Sequence, residues 1–469
     1  MRNNANLVNK LWPILVIFFT IIGMNSCRES APNRQQTWQP GIVYPASVLG
    51  SRRGYTILRG IIHLHTVYSH DACDGHPFIN GQPNQACYND FRNAICKTKD
   101  DFIMITDHPS NMVNYSFYNL LIYQAGDTLI YNNGNPVANI VSCPDNSKTI
   151  LMAGQEGVLM PVGMESHIGL TPTDRSINYS RDDAYMIAQY KNNGAVVFVN
   201  HTEGRDAGYL MTAPVDGVEI YNIHSNIDPE IRQNDLGLDP YVFMAKLSLF
   251  LNTSPNAPDP NLAFLSFFTE NTNDIAKWDA LTLDRKMVGI AATDVHENAF
   301  PMILRDGERG DSYRRLMEWF SNYVLAKHDD YLSIKDALRE GRLYVCFDIL
   351  GLAYGFDFHA LLDGTTYEMG EELPYQDGIK LYVSVPRVYR LESGVIPPDI
   401  SAELLKVDQS GEHVVHSAAN SFSYAVQSPG VYRIVVYITP YHLIPYLGQY
   451  YEQFMQKYVW VYSNPIYIR

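Results

Sequence analysis

Several features common in other classes of protein are missing from this sequence. No Cys-x-x-Cys pair occurs, so neither a thiolate zinc site nor thioredoxin-type chemistry is expected. Basic residues are not in excess, because 35 Lys and Arg stand against 50 Asp and Glu, for a net charge of −15. No nucleic acid is therefore expected as a partner, since phosphate backbones are bound through Lys and Arg.

With 46% hydrophobic and only 18% charged residues the chain is not disordered, and its 469 residues predict two or three packed domains.

The sequence also has no N-terminal apolar run long enough to cross a bilayer. Residues 11–24 are an apolar stretch of 14 after Arg2 and Lys10, whereas a membrane span needs about 20. This pattern is typical of a secretory signal, and the small residue before Cys27 resembles the lipobox of bacterial lipoproteins. We predict a signal at residues 1–27 and a membrane anchor through lipid on Cys27, on an exported periplasmic or cell-surface lipoprotein. Ordinary cleavage nearby, or an uncleaved anchor, are the alternatives.

The five cysteines after Cys27 are an odd set, which permits at most two disulfides: Cys73, Cys87, Cys96, Cys143 and Cys346. The first three crowd one segment, and a bridge among them fits an exported protein. The sequence does not assign the pairing.

Short apolar runs alternate with helical stretches from about residue 55 to 350, after a polar tether at residues 28–54. Alternation of this kind predicts parallel strands with crossover helices, hence an α/β sheet or barrel. Several runs end in His, Asp or Glu, and an α/β barrel gathers its chemistry at the carboxyl ends of its strands. The runs cover residues 56–65, 102–108, 150–156, 195–201, 215–221 and 288–296.

Residues 351–469 have a different character. Short strand-like runs are separated there by turn signals such as Asp408-Gln409-Ser410-Gly411. We predict a small antiparallel β-sandwich for this segment.

The most informative motif is HLHTVYSHD at residues 63–71. His63 and His65 are two residues apart on a predicted strand and can present both imidazoles to one cation. The same spacing recurs at Asp294 and His296. A lone His is usually a satisfied core residue, but repeated pairs at strand ends favour a metal site.

The order of these motifs resembles the PHP family, named for its polymerase and histidinol phosphatase members. The matching segments are HLHTVYSHD, ITDH (105–108), the Glu of AGQEG (153–157), the His of SHIGL (166–170), VNH (199–201) and TDVH (293–296). The resemblance implies a distorted (β/α)7 TIM-like barrel, here followed by the β-sandwich, and two or three divalent metal ions. The ligands it implies are His63, His65, Asp71, His108, Glu156, His167, His201, Asp294 and His296, with Glu156 bridging two ions. His70 competes with Asp71 as third ligand of the first motif, and the Ser-x-Asp spacing favours Asp71.

Imidazoles and carboxylates suit zinc, manganese or iron, and ligand type alone does not choose among them. A metal-activated hydroxide at such a di- or trinuclear site predicts a hydrolase. Three divalent ions, three carboxylates and one hydroxide leave a charge of +2, which a phosphate monoester would neutralise. We therefore expect a phosphoesterase acting on a small or surface-linked phosphate ester. The alternatives are a carboxylester or carbamate hydrolase on the same site, and a non-catalytic lipoprotein that binds glycan or metal.

Supporting roles are assigned by position along the chain. Asp107 neighbours His108 and could orient a ligand, while Arg205 and Arg305 are within loop reach and could hold phosphate oxygens. Glu219 ends another strand and is expected at most to line the site. His224 and His76 are expected to be loop residues.

Overall fold

The strands that position the predicted site are short, buried runs of apolar residues. The computed structural model describes residues 37–469, of which residues 38–469 form one compact unit. Through residue 346 the strands are β1 (Ser51–Arg52), β2 (Tyr55–Leu64), β3 (Phe78–Ile79), β4 (Gln82–Pro83), β5 (Phe102–Ile105), β6 (Thr128–Asn132), β7 (Asn135–Ser142), β8 (Lys148–Ala153), β9 (Met160–Val162), β10 (Val196–Val199), β11 (Gly217–Asn222), β12 (Val288–Ala292), β13 (Ser321–Ala326) and β14 (Leu343–Cys346).

The remaining strands follow residue 350 and are joined mostly by turns. They are β15 (Ala353–Tyr354), β16 (Asp357–Leu362), β17 (Thr365–Glu368), β18 (Glu372–Leu373), β19 (Lys380–Ser384), β20 (Arg387–Val388), β21 (Asp399–Asp408), β22 (Gly411–Ala418), β23 (Phe422–Ala425), β24 (Gly430–Thr439), β25 (Tyr458–Ser463) and β26 (Ile466–Ile468).

Helices connect the strands mainly in the first three quarters of the chain. They are α1 (Ala72–Gly75), α2 (Gln85–Thr98), α3 (Pro109–Met112), α4 (Phe117–Leu120), α5 (Pro172–Tyr179), α6 (Ala184–Asn192), α7 (Ala207–Thr212), α8 (Ile223–Ile227), α9 (Pro229–Asn234), α10 (Val242–Leu247), α11 (Thr272–Asp284), α12 (Tyr313–Met317), α13 (Tyr331–Glu340) and α14 (Ile444–Leu447). None of those in the described part of the chain combines the length and hydropathy that a bilayer crossing requires. The predicted signal and Cys27 lie outside the described residues.

Parallel pairing brings the predicted ligand strands side by side. β2 pairs with β5 and β5 with β8, both parallel, and Ile103 lies opposite Ile61 on one side and Leu151 on the other. In a second sheet β10, β11 and β12 are also parallel, in that order. The α/β class with parallel strands is therefore confirmed.

The predicted closed barrel is not confirmed, because the hydrogen-bonded strands of residues 37–469 form open sheets. One edge of β2 is taken by antiparallel β13, with Gly60 opposite Asn322, so β12 cannot pair along that edge. The two strands meet at their carboxyl ends: the His65 amide donates to the Val295 carbonyl at 2.9 Å, and the Asp294 amide donates to the His63 carbonyl at 2.8 Å. The two sheets thus converge at the carboxyl ends of their strands, where the predicted ligands lie.

The strands after residue 350 are predominantly antiparallel, as the sequence pattern predicts. β16, β17, β19 and β23 form one small sheet, whereas β21, β22, β24 and β25 extend the large sheet through the pairing of β25 with β14. The division at residue 350 into barrel and sandwich stays a prediction, and the strands on its two sides share backbone hydrogen bonds.

Two disulfides fasten the segment that follows β2. Cys73 is bonded to Cys87 and Cys96 to Cys143, while Cys346 is a buried free thiol. These bridges tie the Asp71 loop to α2, and α2 to the end of β7.

Candidate metal centre

Most of the predicted ligand side chains converge at the carboxyl ends of the parallel strands. They lie at the end of β2 or in the segments after β2, β5, β8, β10 and β12, so their side chains share the edge where the two sheets meet. The structure brings together eight of the nine: His63, His65, Asp71, His108, Glu156, His201, Asp294 and His296.

The innermost group contains two imidazoles and two carboxylates. His63 Nε2 is 3.1 Å from Glu156 Oε2 and 3.2 Å from Asp294 Oδ1. His65 Nε2 is 3.1 Å and 3.3 Å from the same two oxygens. Four ligands at bond lengths of about 2.1 Å around a tetrahedral ion lie about 3.4 Å apart, so the observed spacing fits a single cation.

These four atoms are also buried without hydrogen-bond partners within the described chain. An unpaired polar atom in the interior costs about 1–3 kcal/mol, and four facing one another would be a large penalty. A bound divalent cation would satisfy all four at once, which is the arrangement expected of a metal site.

A second group lies beside the first and contains Asp71, His108 and His296. Asp71 Oδ2 is 3.4 Å from His108 Nε2 and 3.3 Å from His296 Nε2. Each imidazole has its Nδ1 against a carbonyl, His108 at 3.1 Å from that of Glu156 and His296 at 2.9 Å from that of Asp294. Donation from Nδ1 leaves both Nε2 lone pairs for a cation near Asp71.

A third group adds a residue that the sequence analysis left as a loop histidine. His201, His224 and Asp294 can hold a cation together, with His224 Nδ1 3.5 Å from Asp294 Oδ2. His224 follows the end of β11 by two residues, at the start of α8. The signal that could have found it is this position at the end of a further parallel strand.

Glu156 lies between the groups, as a bridging ligand would. Its Oε2 faces His63 and His65, while its Oε1 is 2.8 Å from His201 Nε2. Asn200 Nδ2 donates to the same Oε1 at 2.8 Å and fixes the carboxylate plane.

Glu219 has a larger role in the site than the sequence predicts. His63 Nδ1 donates to Glu219 Oε1 at 2.6 Å, which leaves Nε2 of that ring for a cation. The other oxygen of Glu219 accepts from the His201 amide at 2.8 Å and from Asn222 Nδ2 at 2.7 Å. One buried carboxylate therefore orients the ligands of two groups.

The three residues with predicted supporting roles lie outside the ligand groups of the described chain: Asp107, Arg205 and Arg305. Asp107 accepts from the Thr66 amide at 2.5 Å and hydroxyl at 2.8 Å, and so fixes the turn after His65. Arg205 donates to the Val158 carbonyl at 2.7 Å and to Asn200 Oδ1 at 3.1 Å, bracing a partner of Glu156. Arg305 is exposed.

His167 lies apart from the ligand groups found in residues 37–469. Its Nε2 is 3.0 Å from the Tyr115 carbonyl and its Nδ1 is 3.0 Å from the Tyr179 hydroxyl. With one nitrogen donating and the other accepting, the ring has no lone pair left for a cation. His70 is more exposed than Asp71, and its Nδ1 is 2.9 Å from the Ser110 hydroxyl, so Asp71 is the better placed of that pair.

The backbone is strained at three of the ligands. His63, His201 and Asp294 adopt positive φ angles of 67°, 48° and 50°. Such conformations cost non-glycine residues about 1–3 kcal/mol and persist where the surrounding structure enforces them, often at functional sites. The left-handed conformation of His63 coincides with a shift in the register between β2 and β5, and both imidazoles of the first motif then face one point.

The charges of the cluster are strongly coupled. Burial lowers the pKa of His65 to about 4, helped by the neighbouring His296. Burial also opposes protonation of His108, but the Asp71 and Glu156 carboxylates outweigh it and raise its pKa to about 9. Burial acts to raise the pKa of Glu156, yet the surrounding histidines hold it well below its usual range. The carboxylates thus draw positive charge, whether protons or cations, to the site.

A cavity of about 360 Å³ opens from the metal groups. Ligand side chains form one part of its lining, and six large apolar side chains form another, here called the apolar wall: Ile223, Ile227, Phe267, Phe300, Leu316 and Trp319. Glu297, Asn298, Ala299 and Asp311 complete the lining. This volume is within the range of pockets that hold small molecules.

Comparison with known proteins gives distant structural likenesses only. No protein-family model and no curated protein matches the chain. It is similar to the crystal structure of a two-domain protein containing a predicted PHP-like metal-dependent phosphoesterase from Bacteroides vulgatus ATCC 8482, with TM-score 0.35 and 13% identity over 92% of this chain and 99% of that one. It is also similar to PsfC from Pseudomonas syringae PB-5123, with TM-score 0.29 and 10% identity over 58% of this chain and 82% of that one.

Likenesses this distant transfer neither activity nor ligands, so the function of this protein is inferred from its own side chains.

Proposed function

We propose that this protein is a metal-dependent hydrolase, and specifically a phosphoesterase with a di- or trinuclear site in a PHP-like fold. The observation that carries the proposal is the innermost group, in which two imidazole nitrogens lie 3.1–3.3 Å from two carboxylate oxygens, all four buried and without a hydrogen bond. The two adjoining groups supply donors for further ions.

The donor set suits borderline divalent cations. Neutral imidazole nitrogens and carboxylate oxygens bind zinc, manganese and iron, and no thiolate lies in the ligand groups of the described chain. When bound, such ions lower the pKa of water to roughly 7 and polarise the ester that is attacked.

The chain's own residues supply the order of the site. Glu219 holds His63 with its Nε2 turned inward, and the carbonyls of Glu156 and Asp294 do the same for His108 and His296. Asn200 fixes Glu156. The apolar wall offers the ester a surface on which its apolar part can pack.

The structure revises the charge balance that the sequence suggests. Five carboxylates, not three, lie among or against the ligand side chains: Asp71, Glu156, Glu203, Asp294 and Glu219. Three divalent ions and one hydroxide then leave a charge near zero. We infer that a substrate with one phosphoryl group is favoured over one with several.

The same balance keeps a carboxylester or carbamate hydrolase as the second candidate. A neutral ester needs no excess positive charge, and among residues 37–469 neither Lys nor Arg lines the cavity. The two candidates share their metal groups and differ only in the electrophile.

Metal analysis combined with a substrate panel tests the proposal. Protein lacking residues 1–27 should purify with two to three equivalents of transition metal and hydrolyse phosphate esters. Turnover of carboxyl or carbamate esters alone would refute the phosphoesterase assignment, and absence of metal after reconstitution would refute the hydrolase.

We also propose that the protein is exported and anchored by lipid on Cys27. The two disulfides support this proposal, because such bonds persist in oxidising compartments. Cys27→Ser should move the protein from the membrane fraction to the soluble one; a variant that stays in the membrane would contradict the lipid anchor.

A further inference from the structure

The cavity beside the metal groups has two chemically different walls. Metal-ligand side chains form one, and six apolar side chains form the other. Four of the six, Ile223, Phe267, Leu316 and Trp319, retain at most 5% of their surface exposed, so this wall is preformed.

The apolar wall is built on the same elements that carry ligands. Ile223 and Ile227 are four residues apart on α8 and share a face, next to the ligand candidate His224. Phe300 follows His296 by four residues. A group bonded to a phosphoryl centre held by the ligand groups would therefore share the cavity with these side chains.

Phe300 is held in place by a dedicated network. Asp311 accepts hydrogen bonds of 2.7 Å from the amides of Ala299 and Phe300, and Arg309 Nε donates to Asp311 at 2.6 Å. The Phe300 and Phe267 rings are near-parallel with centroids 6.2 Å apart, and Phe267 meets Trp319 edge-on at 5.7 Å. The wall is thus rigid and aromatic.

The charges around this wall disfavour an anionic substituent. Glu297 and Asp311 also line the cavity, and Arg309 pairs with Asp311 as well as with Asp74 and the Glu297 carbonyl. A second negative group on the substrate would find no free cation among the lining residues that the structure describes. Desolvating it there would be costly.

We infer that the substrate is a monoester whose leaving group is apolar and uncharged, of the size of one ring or a short branched chain, and that Phe300 is one of its specificity-determining residues. This inference rests on the proposed phosphoesterase function and deepens it. Burial of an apolar group against Phe267, Phe300 and Trp319 would supply the selectivity.

The test compares monoesters that differ only at the leaving group. Benzyl phosphate should be hydrolysed with a kcat/KM about tenfold or more above that of 4-carboxybenzyl phosphate, because the added charge would lose water against the apolar wall with no cation to pair it. Glycerol 1-phosphate and phosphocholine complete the panel with a polar and a cationic group. A preference for phosphocholine or for the carboxylated ester would overturn the inference while leaving the phosphoesterase function intact.

Phe300→Ser should raise the KM for benzyl phosphate about tenfold and leave that for glycerol 1-phosphate unchanged, which shows that the metal groups are intact. Ile303→Ser is the matched control, since Ile303 is on the same loop, 68% exposed, and not in the cavity wall. Calorimetric binding of benzylphosphonate gives a readout without turnover and should weaken in Phe300→Ser only. Equal losses on both substrates would overturn the role of Phe300. If the unaltered protein neither hydrolysed the monoesters nor bound the phosphonate, the proposed function would be overturned as well.

Discussion

The metal groups and the C-terminal sheet both bury polar side chains, but they satisfy them differently. In the C-terminal part, Arg433 donates twice to Asp279 at 2.9 Å, and the amide of Asn464 exchanges bonds of 2.9 and 2.8 Å with the backbone of Gly289. At the metal groups, five ligand atoms on His63, His65, Glu156, Asp294 and His296 are buried without a hydrogen bond in the described chain. In the C-terminal part Tyr458 Oη and His442 Nδ1 are also buried without a partner, but at the metal groups the unpartnered atoms face one another, as a bound cation would require.

The backbone shows the same contrast. β21 and β24 pair over nine consecutive positions, from Asp399 opposite Thr439 to Val407 opposite Val431. Three of the ligand strands have a left-handed residue within two positions of their carboxyl ends: His63 near the end of β2, His201 after β10 and Asp294 after β12. Regular pairing lowers the free energy of the fold, whereas strain at the strand ends is kept because it aims ligands inward.

Removal of a central ligand should have the largest effect. Asp294→Ala deletes an oxygen facing His63 and His65 and a second one facing His224, so bound metal and turnover should both be lost. The loss of metal affinity should exceed the roughly 10–100-fold that follows removal of a residue that only orients a ligand. Metal content by mass spectrometry measures it, and His167→Gln is the control that should keep full metal. Retention of metal by Asp294→Ala would contradict the site.

Loss of the carboxylate behind His63 should have an intermediate effect. Glu219→Gln keeps the shape but removes the charge that orients His63, and metal affinity should fall roughly 10–100-fold. Competition with a chromophoric chelator measures the affinity. The exposed Glu230→Gln is the control, and equal affinities in the two variants would show that Glu219 does not act on the ligands.

Metal affinity should increase with pH. In the metal-free chain burial acts to lower the pKa of His108, but the Asp71 and Glu156 carboxylates outweigh it and raise the pKa to about 9. The His108 Nε2 is therefore protonated at pH 7. A cation must displace that proton, so apparent affinity should rise from pH 6 to pH 8 by roughly tenfold per unit for each proton released. Titrations in buffers of different ionisation enthalpy count the protons. A flat profile would mean that the ligands are already deprotonated.

A change in the C-terminal part should affect stability and leave the metal bound. Asn464→Ala leaves the amide and carbonyl of Gly289 in β12 unpaired, at a cost of about 1–3 kcal/mol in the free energy of unfolding. Urea unfolding measures this cost, with the exposed Asn420→Ala as control. If metal content falls in step with stability, the two regions are not separable.

The sequence predicts much of this arrangement because strand ends and ligand types are local signals. All six predicted ligand-bearing and neighbouring strand runs contain strands, and eight of nine predicted ligands lie together. The sequence analysis missed His224 as a ligand and Glu219 as an orienting residue. Each role depends on a partner from another strand, Asp294 for His224 and His63 for Glu219. His167 lies elsewhere because Tyr115 and Tyr179, distant in the chain, occupy both of its nitrogens.

The sequence by itself determines that His, Asp and Glu side chains stand near the ends of parallel strands, because residue chemistry and apolar periodicity are read locally. Only the tertiary structure decides that β13 takes the edge of β2 and keeps the sheets open, that Cys73 pairs with Cys87, and that an apolar wall faces the metal groups. Those outcomes depend on contacts between segments far apart in the chain, and the free energy of the whole fold selects them.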